Sequence, residues 1–209
     1  MPINTLPVVG VMGSSETAHD DLAEPLGRLL AGLPAHLLTG GGAATMASVC
    51  KAFVECEPRR GLSIGVIPAA ALETPTISRT GYPNRWVELP IHTHLIAKHP
   101  DAWGGLTRNH VNILSSDVVV ALPGSRGTAH EIELALNYGK PVAAFFHRPG
   151  EMDGLPPAVA QFTAIEEVRA FLAEHLDLGA PPLAPDAALN GAGARPAPPR
   201  PPAEDGARG

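Results

Sequence analysis

Aromatic side chains are scarce in this sequence of 209 residues: Phe, Trp and Tyr together make up 4 % of it, although 44 % of the residues are hydrophobic. A core must therefore be built mainly from Val, Leu, Ile and Ala. That composition is typical of parallel sheets that are buried on both faces. The length predicts a single compact domain with room for such a core.

Basic residues and cysteines are also few. Lys and Arg number 15 against 21 Asp and Glu, which gives a formal charge of −6 at pH 7. A general nucleic-acid-binding surface needs clustered cations and is not expected. The two cysteines, Cys50 and Cys56, point about 240° apart around a predicted helix. We therefore expect neither a disulfide between them nor a metal site that they share.

Two kinds of hydrophobic segment are missing as well. No stretch approaches the length and apolarity of a membrane span, and the N-terminus has no basic segment followed by an apolar one. The sequence therefore predicts neither membrane insertion nor a secretory signal. A soluble protein of the cytoplasm is the expectation.

The first third of the sequence alternates predicted strands with predicted helices. Apolar runs predict strands at residues 6–12, 35–39 and 62–67, with the third strand ending at Pro68. Helical spacing predicts one helix at residues 19–33 and another from the glycines at 40–42 to about residue 57. This β-α-β-α-β order predicts a parallel sheet with right-handed crossovers.

The rest of the sequence begins irregularly and then resumes the alternation. Residues 69–86 are predicted to form a loop, and residues 94–106 an insertion that is either a lid or an inert surface segment. The clearest buried strand is DVVVAL at 117–122, and Gly139 and Pro141 mark the end of the helix that follows it. The other predicted elements are strands at 87–91 and 142–146 and helices at 107–116, 128–138 and 164–175.

Together these elements predict an α/β fold of the Rossmann-like, doubly wound type, with a mostly parallel sheet in a three-layer α/β/α arrangement. We assign residues 1–178 to this domain. From about residue 179 to 209, Pro, Ala and Gly dominate and no apolar periodicity survives. That composition predicts a disordered tail.

Three predicted strands end in turns rich in Gly or Ser, and such turns are candidate phosphate-binding loops. In doubly wound sheets ligands bind at the carboxyl ends of the strands, and unpaired amides at a helix N-terminus attract anions. The alternative is that the glycines only make tight turns. The candidate ligand-binding residues are Gly13, Ser14, Gly40, Gly41, Gly42, Pro123, Gly124, Ser125, Arg126, Gly127 and Thr128.

The residues around the third turn resemble the LOG-like superfamily, whose signature is Pro-Gly-Gly-x-Gly-Thr-x-x-Glu. Pro123, Gly124, Gly127, Thr128 and Glu131 match it, and Ser125 stands in place of the second glycine. The spacing from Arg108 to this motif resembles that of the family's catalytic arginine. The turns at 11–15 and 39–42, with Met46, are similar to its other two glycine-rich turns.

The resemblance implies a Rossmann-like fold, usually in a homodimer or higher homo-oligomer, and a small phosphorylated, nucleotide-like ligand. One branch hydrolyses the N-glycosidic bond of nucleoside 5′-monophosphates and requires no cofactor. The alternative branch carries a phosphorylated cofactor such as molybdopterin, the organic part of the molybdenum cofactor, without cleaving it. A third possibility is a nucleotide-sensing module. Arg108-Asn109 followed by a hydrophobic helix is more similar to the carrier branch and to uncharacterised branches than to the cytokinin-activating enzymes, which belong to the hydrolase branch.

In the hydrolase interpretation, Arg108 and Glu131 are the candidate catalytic residues. Cleavage of the N-glycosidic bond builds positive charge on the ribose, which a carboxylate such as Glu131 stabilises while it orients a water. Arg108 supplies a planar, permanent charge for phosphate or for Glu131. The alternatives are a solvated carboxylate near the start of its helix and a surface ion-pair partner.

Other chemistry-bearing residues receive less weight. Five histidines, at 92, 94, 99, 110 and 130, lie in one span, but their spacing is not that of a zinc site, so no metal is predicted. Trp86 and Trp103 are candidates for stacking on a base, or for a place in the core or at a contact between subunits.

Overall fold

The computed structural model describes residues 6–71, 74–96 and 105–176 of the chain. The strands are β1 (Val8–Met12), β2 (His36–Thr39), β3 (Ser63–Ala71), β4 (Thr74–Ser78), β5 (Leu89–Ile96), β6 (Val118–Ala121), β7 (Val142–Phe145) and β8 (Ala160–Phe162). The helices are α1 (Asp20–Ala31), α2 (Thr45–Val54), α3 (Arg108–Leu114), α4 (Arg126–Asn137) and α5 (Ile165–His175). The predicted tail and most of the predicted insertion lie outside the described residues.

One sheet runs through the domain in the order β4-β3-β2-β1-β6-β7-β8, with β5 also paired to β3. All described pairings are parallel except that of β3 with β4. The series β3-β2-β1-β6-β7-β8 is the doubly wound order, so the predicted Rossmann-like class is confirmed. The direction of winding reverses between β1 and β6, and ligands bind at such a switch point in open α/β sheets.

The sheet is covered on both faces, which gives the predicted three layers. One core cluster joins α1, α2 and α5 to alternate strand residues such as Val9 and Val118. A second core cluster joins α3 and α4 to the strand residues whose side chains point to the other face of the sheet, such as Met12 and Val119. Because successive side chains of a strand point to opposite faces, a strand between two helical layers must be apolar throughout. The all-buried Val118–Ala121 is that case.

Two predictions for the segment after β2 are wrong. We expected a strand that ends at Pro68, whereas β3 continues to Ala71. The pairing with β5 shifts register between Ile67 and Ala69, so that Pro68, which lacks an N–H, lies where the ladder is irregular. We also expected a loop at 69–86, yet Thr74–Ser78 forms β4, an antiparallel partner of β3. The short strand β8 was not predicted.

The remaining elements differ from expectation mainly at their ends. Helix α4 begins at Arg126, two residues before the predicted start, which places Ser125 at its N-cap. Gly139 has φ 65°, the left-handed conformation expected of a residue that ends a helix. Both cysteines are free. Among the described helices, none has the length and apolarity needed to cross a membrane.

Candidate functional site

The turns after β1, β2 and β6 meet at the switch point and are tied to one another through the main chain. The amide of Ser14 donates to the carbonyl of Pro123 at 3.2 Å, and the amide of Thr45 donates to the carbonyl of Ser14 at 3.3 Å. One residue before Pro123, the amide of Leu122 donates to the carbonyl of Met12 at 2.8 Å. The three predicted glycine-rich turns therefore form one joined structure.

A cavity of about 610 Å³ opens above these turns. Its wall includes six of the predicted ligand-binding residues, namely Gly13, Gly40, Ser125, Arg126, Gly127 and Thr128. Both predicted catalytic residues, Arg108 and Glu131, line the same cavity. The remaining lining residues are Val11, Met12, Ser15, Met46, Arg79, Tyr82, Thr107, Asn109 and His130.

The N-terminus of α4 lines this cavity, and no described residue accepts a hydrogen bond from its first three amides. The first N–H groups of a helix have no partner within the helix, and a Ser at the N-cap commonly accepts a hydrogen bond from one of them. Here the side chain of Ser125 makes no such bond. A Cβ added to Gly127 would meet nothing within 4 Å, so the space beside this residue is open. Open amides at the positive end of a helix dipole suit an anion.

Arg108 is the first residue of α3, and only 6 % of it is exposed. Its guanidinium lies against Gly40 in the turn after β2: a Cβ on Gly40 would collide with Nη1 and would lie 2.7 Å from Cζ. The Nε atom is buried and has no hydrogen-bond partner among the described residues. A buried cation with an unused donor is suited to an anion that enters the cavity.

Glu131 lies one and a half turns into α4 and is 7 % exposed. Asn112 of α3, which is fully buried, donates from Nδ2 to Oε1 of Glu131 at 3.2 Å. Burial raises the pKa of Glu131, and the charge of Arg108 and the bond from Asn112 oppose that rise only in part. Glu131 and Arg108 form none of the ion pairs found within the described residues, which leaves Arg108 available to a ligand.

The other predicted ligand-binding residues lie behind the wall and shape it. The hydroxyl of Ser14 accepts hydrogen bonds from the amides of Glu16 and Thr17 within its own turn. A Cβ on Gly124 would collide with Oγ1 of Thr128 and lie 3.2 Å from the amide nitrogen of Ser14, so only glycine lets the two turns approach so closely.

In the turn after β2, Gly41 donates its amide to Thr39 Oγ1 at 3.0 Å. Gly42 donates its amide to Met46 Sδ at 3.4 Å. Pro123 contributes the carbonyl that holds Ser14. The contribution of these residues to binding stays a prediction.

Three residues of the site were missed by sequence reasoning. Arg79 and Tyr82 follow β4, in a segment predicted to be a featureless loop, and both line the cavity. Asn112 holds Glu131 from α3. The available signal for Asn112 was a polar residue four positions after Arg108, on the same face of a helix. For Tyr82 the only signal was an aromatic residue between Gly81 and Pro83.

The less favoured candidates take other positions. Trp86 packs against the first core cluster, with the guanidinium of Arg85 4.9 Å from its ring centroid.

Within the described part of the chain, no group of three His, Cys, Asp or Glu residues could hold a metal. His130 lines the cavity and stacks edge-on against His110 at 5.8 Å. Burial and the neighbouring His110 lower the pKa of His130. Residues 99 and 103 lie outside the described residues.

Fold and cavity together define a class: a doubly wound α/β protein with an open, cation-lined cavity at its topological switch point. The chain belongs to the SLOG cluster4 family, whose model matches residues 6–169. This finding confirms the resemblance to the LOG-like superfamily. None of the curated proteins matches the chain.

Two solved structures are similar over nearly their whole length. The molybdenum cofactor binding protein from the phototrophic bacterium Rippkaea orientalis is 28 % identical, with a TM-score of 0.64, and the match covers 82 % of this chain and 98 % of that one. The molybdenum cofactor carrier protein from Chlamydomonas reinhardtii is 31 % identical, with a TM-score of 0.58, and the match covers 81 % and 99 %. Both neighbours are thus proteins named for the molybdenum cofactor, one for binding it and one for carrying it.

Proposed function

We propose that this protein binds a phosphorylated cofactor of the molybdopterin type in the switch-point cavity and carries it unchanged. The observation that carries the proposal is the pairing of open α4 amides with the buried, unpartnered Nε of Arg108 in one cavity. The two structural neighbours, one a molybdenum cofactor binding protein and the other a molybdenum cofactor carrier protein, support the choice of ligand.

The residues present fit such a ligand. A phosphate needs several N–H donors and positive potential, which the amides at the start of α4 and the guanidinium of Arg108 supply. The exposed Arg126 at the rim adds a second cation. The cavity, at about 610 Å³, falls within the ordinary range for small-molecule sites, so it has room for more than a phosphate. The bound group would supply the metal chemistry elsewhere; this chain would only hold it.

The burial and hydrogen bonding of the Glu131 carboxyl group are consistent with carriage of the ligand. A hydrolase needs an ionised carboxylate where positive charge develops on the ribose. Burial raises the pKa of Glu131, and its Oε1 already accepts a hydrogen bond from Asn112. Both features fit a carboxyl group that supports the wall of the site.

The second candidate is hydrolysis of a nucleoside 5′-monophosphate to free base and ribose 5-phosphate. The observation that favours it is that Arg108 and Glu131, the residues that the LOG-like resemblance assigns to catalysis, line the same cavity. In this case Arg108 would hold the phosphate or orient Glu131, and Glu131 would stabilise the ribose cation.

One experiment compares the two candidates. The purified protein is mixed with molybdenum cofactor released from a denatured molybdoenzyme, and bound pterin is measured by its fluorescence after oxidation. In parallel, a panel of nucleoside 5′-monophosphates is followed by chromatography for released base. The variants are Arg108→Ala and Glu131→Gln, and the control is Arg169→Ala, which removes an exposed cation from α5.

We expect the wild type and Arg169→Ala to retain the pterin, Arg108→Ala to bind it about tenfold or more weakly, and no base to be released. Release of base that both site variants abolish would replace the carrier proposal by the hydrolase. Absence of both bound pterin and released base would contradict both.

A homodimer or higher homo-oligomer and a cytoplasmic location, both expected from the sequence, remain proposals. Light scattering of the purified full chain measures the first, and fractionation of cells that express it measures the second.

A further inference from the structure

We propose that Arg79 and Tyr82 form a stacking wall that recognises the flat heteroaromatic part of the ligand, at a distance from its phosphate. This inference rests on the proposed function, because it assigns a second part of the same cavity. It makes Tyr82 a specificity-determining residue. It also assigns the planar heterocycle and the phosphate ester of that ligand to different parts of the cavity.

The wall is built from a short turn that the main chain holds in place. The amide of Arg79 donates to the carbonyl of Pro68 at 3.2 Å, which attaches the turn to β3. The amide of Tyr82 donates to the carbonyl of Arg79 at 3.1 Å, and Gly81 between them has φ 83°. Both side chains therefore project from one anchored turn, and both line the cavity.

Tyr82 is also held against the turn after β2. A Cβ on Gly42 would lie 2.7 Å from the hydroxyl oxygen of Tyr82 and 2.8 Å from Met46 Cε, so the missing side chain leaves room for the ring. Two bonds from Asn84 support this contact: its amide donates to Gly41 O at 2.8 Å and its Nδ2 donates to Gly42 O at 2.9 Å. The Tyr82 ring is thus half-buried against the turn after β2.

The chemistry of this wall suits a flat ring better than a second phosphate. The guanidinium carbon of Arg79 lies 5.7 Å from the centroid of Tyr82, so the cation already interacts with the ring face. The neighbouring lining residue Met46 is apolar and adaptable. Planar guanidinium, aromatic ring and thioether together form the kind of surface on which nucleobases and similar heterocycles stack.

The test separates ring recognition from phosphate recognition by using two probes. Neopterin phosphate carries a planar ring and a phosphate, whereas ribose 5-phosphate carries the phosphate without the ring; affinities for both are measured by calorimetry. The variants are Tyr82→Ala, Tyr82→Phe and Arg79→Ala. The matched control is Arg85→Ala, which removes a similar cation–aromatic pair, with Trp86, from the same segment but away from the cavity wall.

We expect Tyr82→Ala to weaken neopterin phosphate about tenfold or more and to leave ribose 5-phosphate within about twofold, because stacking on an aromatic residue contributes only when a ring is present. Tyr82→Phe should retain the higher affinity for neopterin phosphate than for ribose 5-phosphate, and Arg79→Ala should reduce that difference. Arg85→Ala should change neither affinity.

Three results would overturn the inference. Equal weakening of both probes by Arg79→Ala would make Arg79 a second phosphate ligand. Equal affinity of the wild type for both probes would be consistent with the phosphate site but would contradict the stacking wall. Binding of neither probe by the wild type would contradict the proposed function and this inference together.

Discussion

Gly40 controls the position of a buried cation by having no side chain. The guanidinium of Arg108 occupies the space that a Cβ at this position would fill. A buried charge with an unpartnered donor depends on such shape complementarity, because it has few hydrogen bonds of its own to fix it. The glycine of one strand end therefore sets the geometry of an arginine from a helix more than sixty residues away.

We expect Gly40→Ala to displace Arg108 and to weaken phosphate-ligand binding by about tenfold, which corresponds to about 1.4 kcal/mol. The atoms in the way belong to the end of a flexible side chain, so the free energy of unfolding should fall by less than about 1.5 kcal/mol. Calorimetry and urea denaturation measure the two effects. Gly32→Ala is the control, because its Cβ would come no closer than 3.5 Å to any atom and φ is −75°. Unchanged affinity in Gly40→Ala would contradict this account of Arg108.

The carboxyl group of Glu131 makes stability depend on pH. Because burial raises the pKa of Glu131 in the folded protein, its contribution to stability is complete below the ordinary value of 4.5 and is lost as the pH rises through the raised pKa. Glu131→Gln keeps an oxygen acceptor for Asn112 and cannot ionise. We expect the variant to gain stability relative to the wild type as the pH rises above 4.5, as measured by urea denaturation at a series of pH values.

The control for this experiment is Glu133→Gln, an exposed position on the same helix. The difference between Glu131→Gln and the wild type should grow with pH, whereas the Glu133→Gln curve should stay parallel to that of the wild type. A constant offset for Glu131→Gln would show that its carboxyl group does not titrate in this range.

At the scale of elements, the start of α2 carries backbone strain. Ala44, its N-cap residue, has φ 54° and ψ −125°, a conformation that side chains with a Cβ rarely adopt. Such a residue costs about 1–3 kcal/mol, whereas glycine adopts it freely at an entropic cost of about 0.5–1 kcal/mol.

We therefore expect Ala44→Gly to raise the free energy of unfolding by about 1 kcal/mol. The matched variant Ala170→Gly, at an exposed position inside α5, should lower it by about 1 kcal/mol because glycine weakens a helix interior. Thermal and urea denaturation of the two variants should thus shift in opposite directions; a shift to lower stability in both would refute the strain.

The elements that could be predicted are those whose periodicity is local. Strand β6 and helix α1 were identified because burial on two faces and on one face leaves a distinct pattern along the chain. Strand β4 could not be found in this way, because its existence depends on pairing with the far end of β3. Pro68 predicted the end of β3. The strand continues past it because the register of its pairing with β5 shifts between Ile67 and Ala69.

The same distinction holds for the site. The three glycine-rich turns were predicted because each follows a recognisable strand, whereas Arg108 and Glu131 were chosen because they resemble the LOG-like pattern. Tyr82 was missed because its place beside Gly42 is a tertiary contact between segments forty residues apart. Local sequence carries no record of that contact.

At the scale of the whole molecule, His147 connects the two halves of the sheet. Its Nε2 lies 2.7 Å from Asp21 Oδ2 at the start of α1, and its Nδ1 lies 2.8 Å from Glu151 Oε1 beyond β7. The hydrogen bond with Glu151, and after it that with Asp21, raises the pKa of His147. The stability that this pair provides is therefore complete below the ordinary value of 6.5 and is lost as the pH rises through the raised pKa.

We expect the urea midpoint of the wild type to exceed that of His147→Gln at pH 6 and the difference to shrink as the pH rises above 6.5. His175→Gln is the control, because the imidazole of His175 contacts a backbone carbonyl and a phenyl ring instead of carboxylates. A difference for His147→Gln that does not change between pH 6 and pH 9 would contradict the ion pair.

The main-chain bonds that join Ser14 to Pro123 and Thr45 to Ser14 also have a consequence for when the proposed ligand can bind. Residues that line the cavity lie as far apart in the sequence as Gly13 and Glu131. Bringing them together costs chain entropy, which the contacts of the completed sheet offset. A chain that still lacks α4 also lacks the helix N-terminus of the proposed phosphate site. We therefore expect the proposed ligand to bind only after both halves of the sheet are complete, so that a bound ligand marks a folded chain.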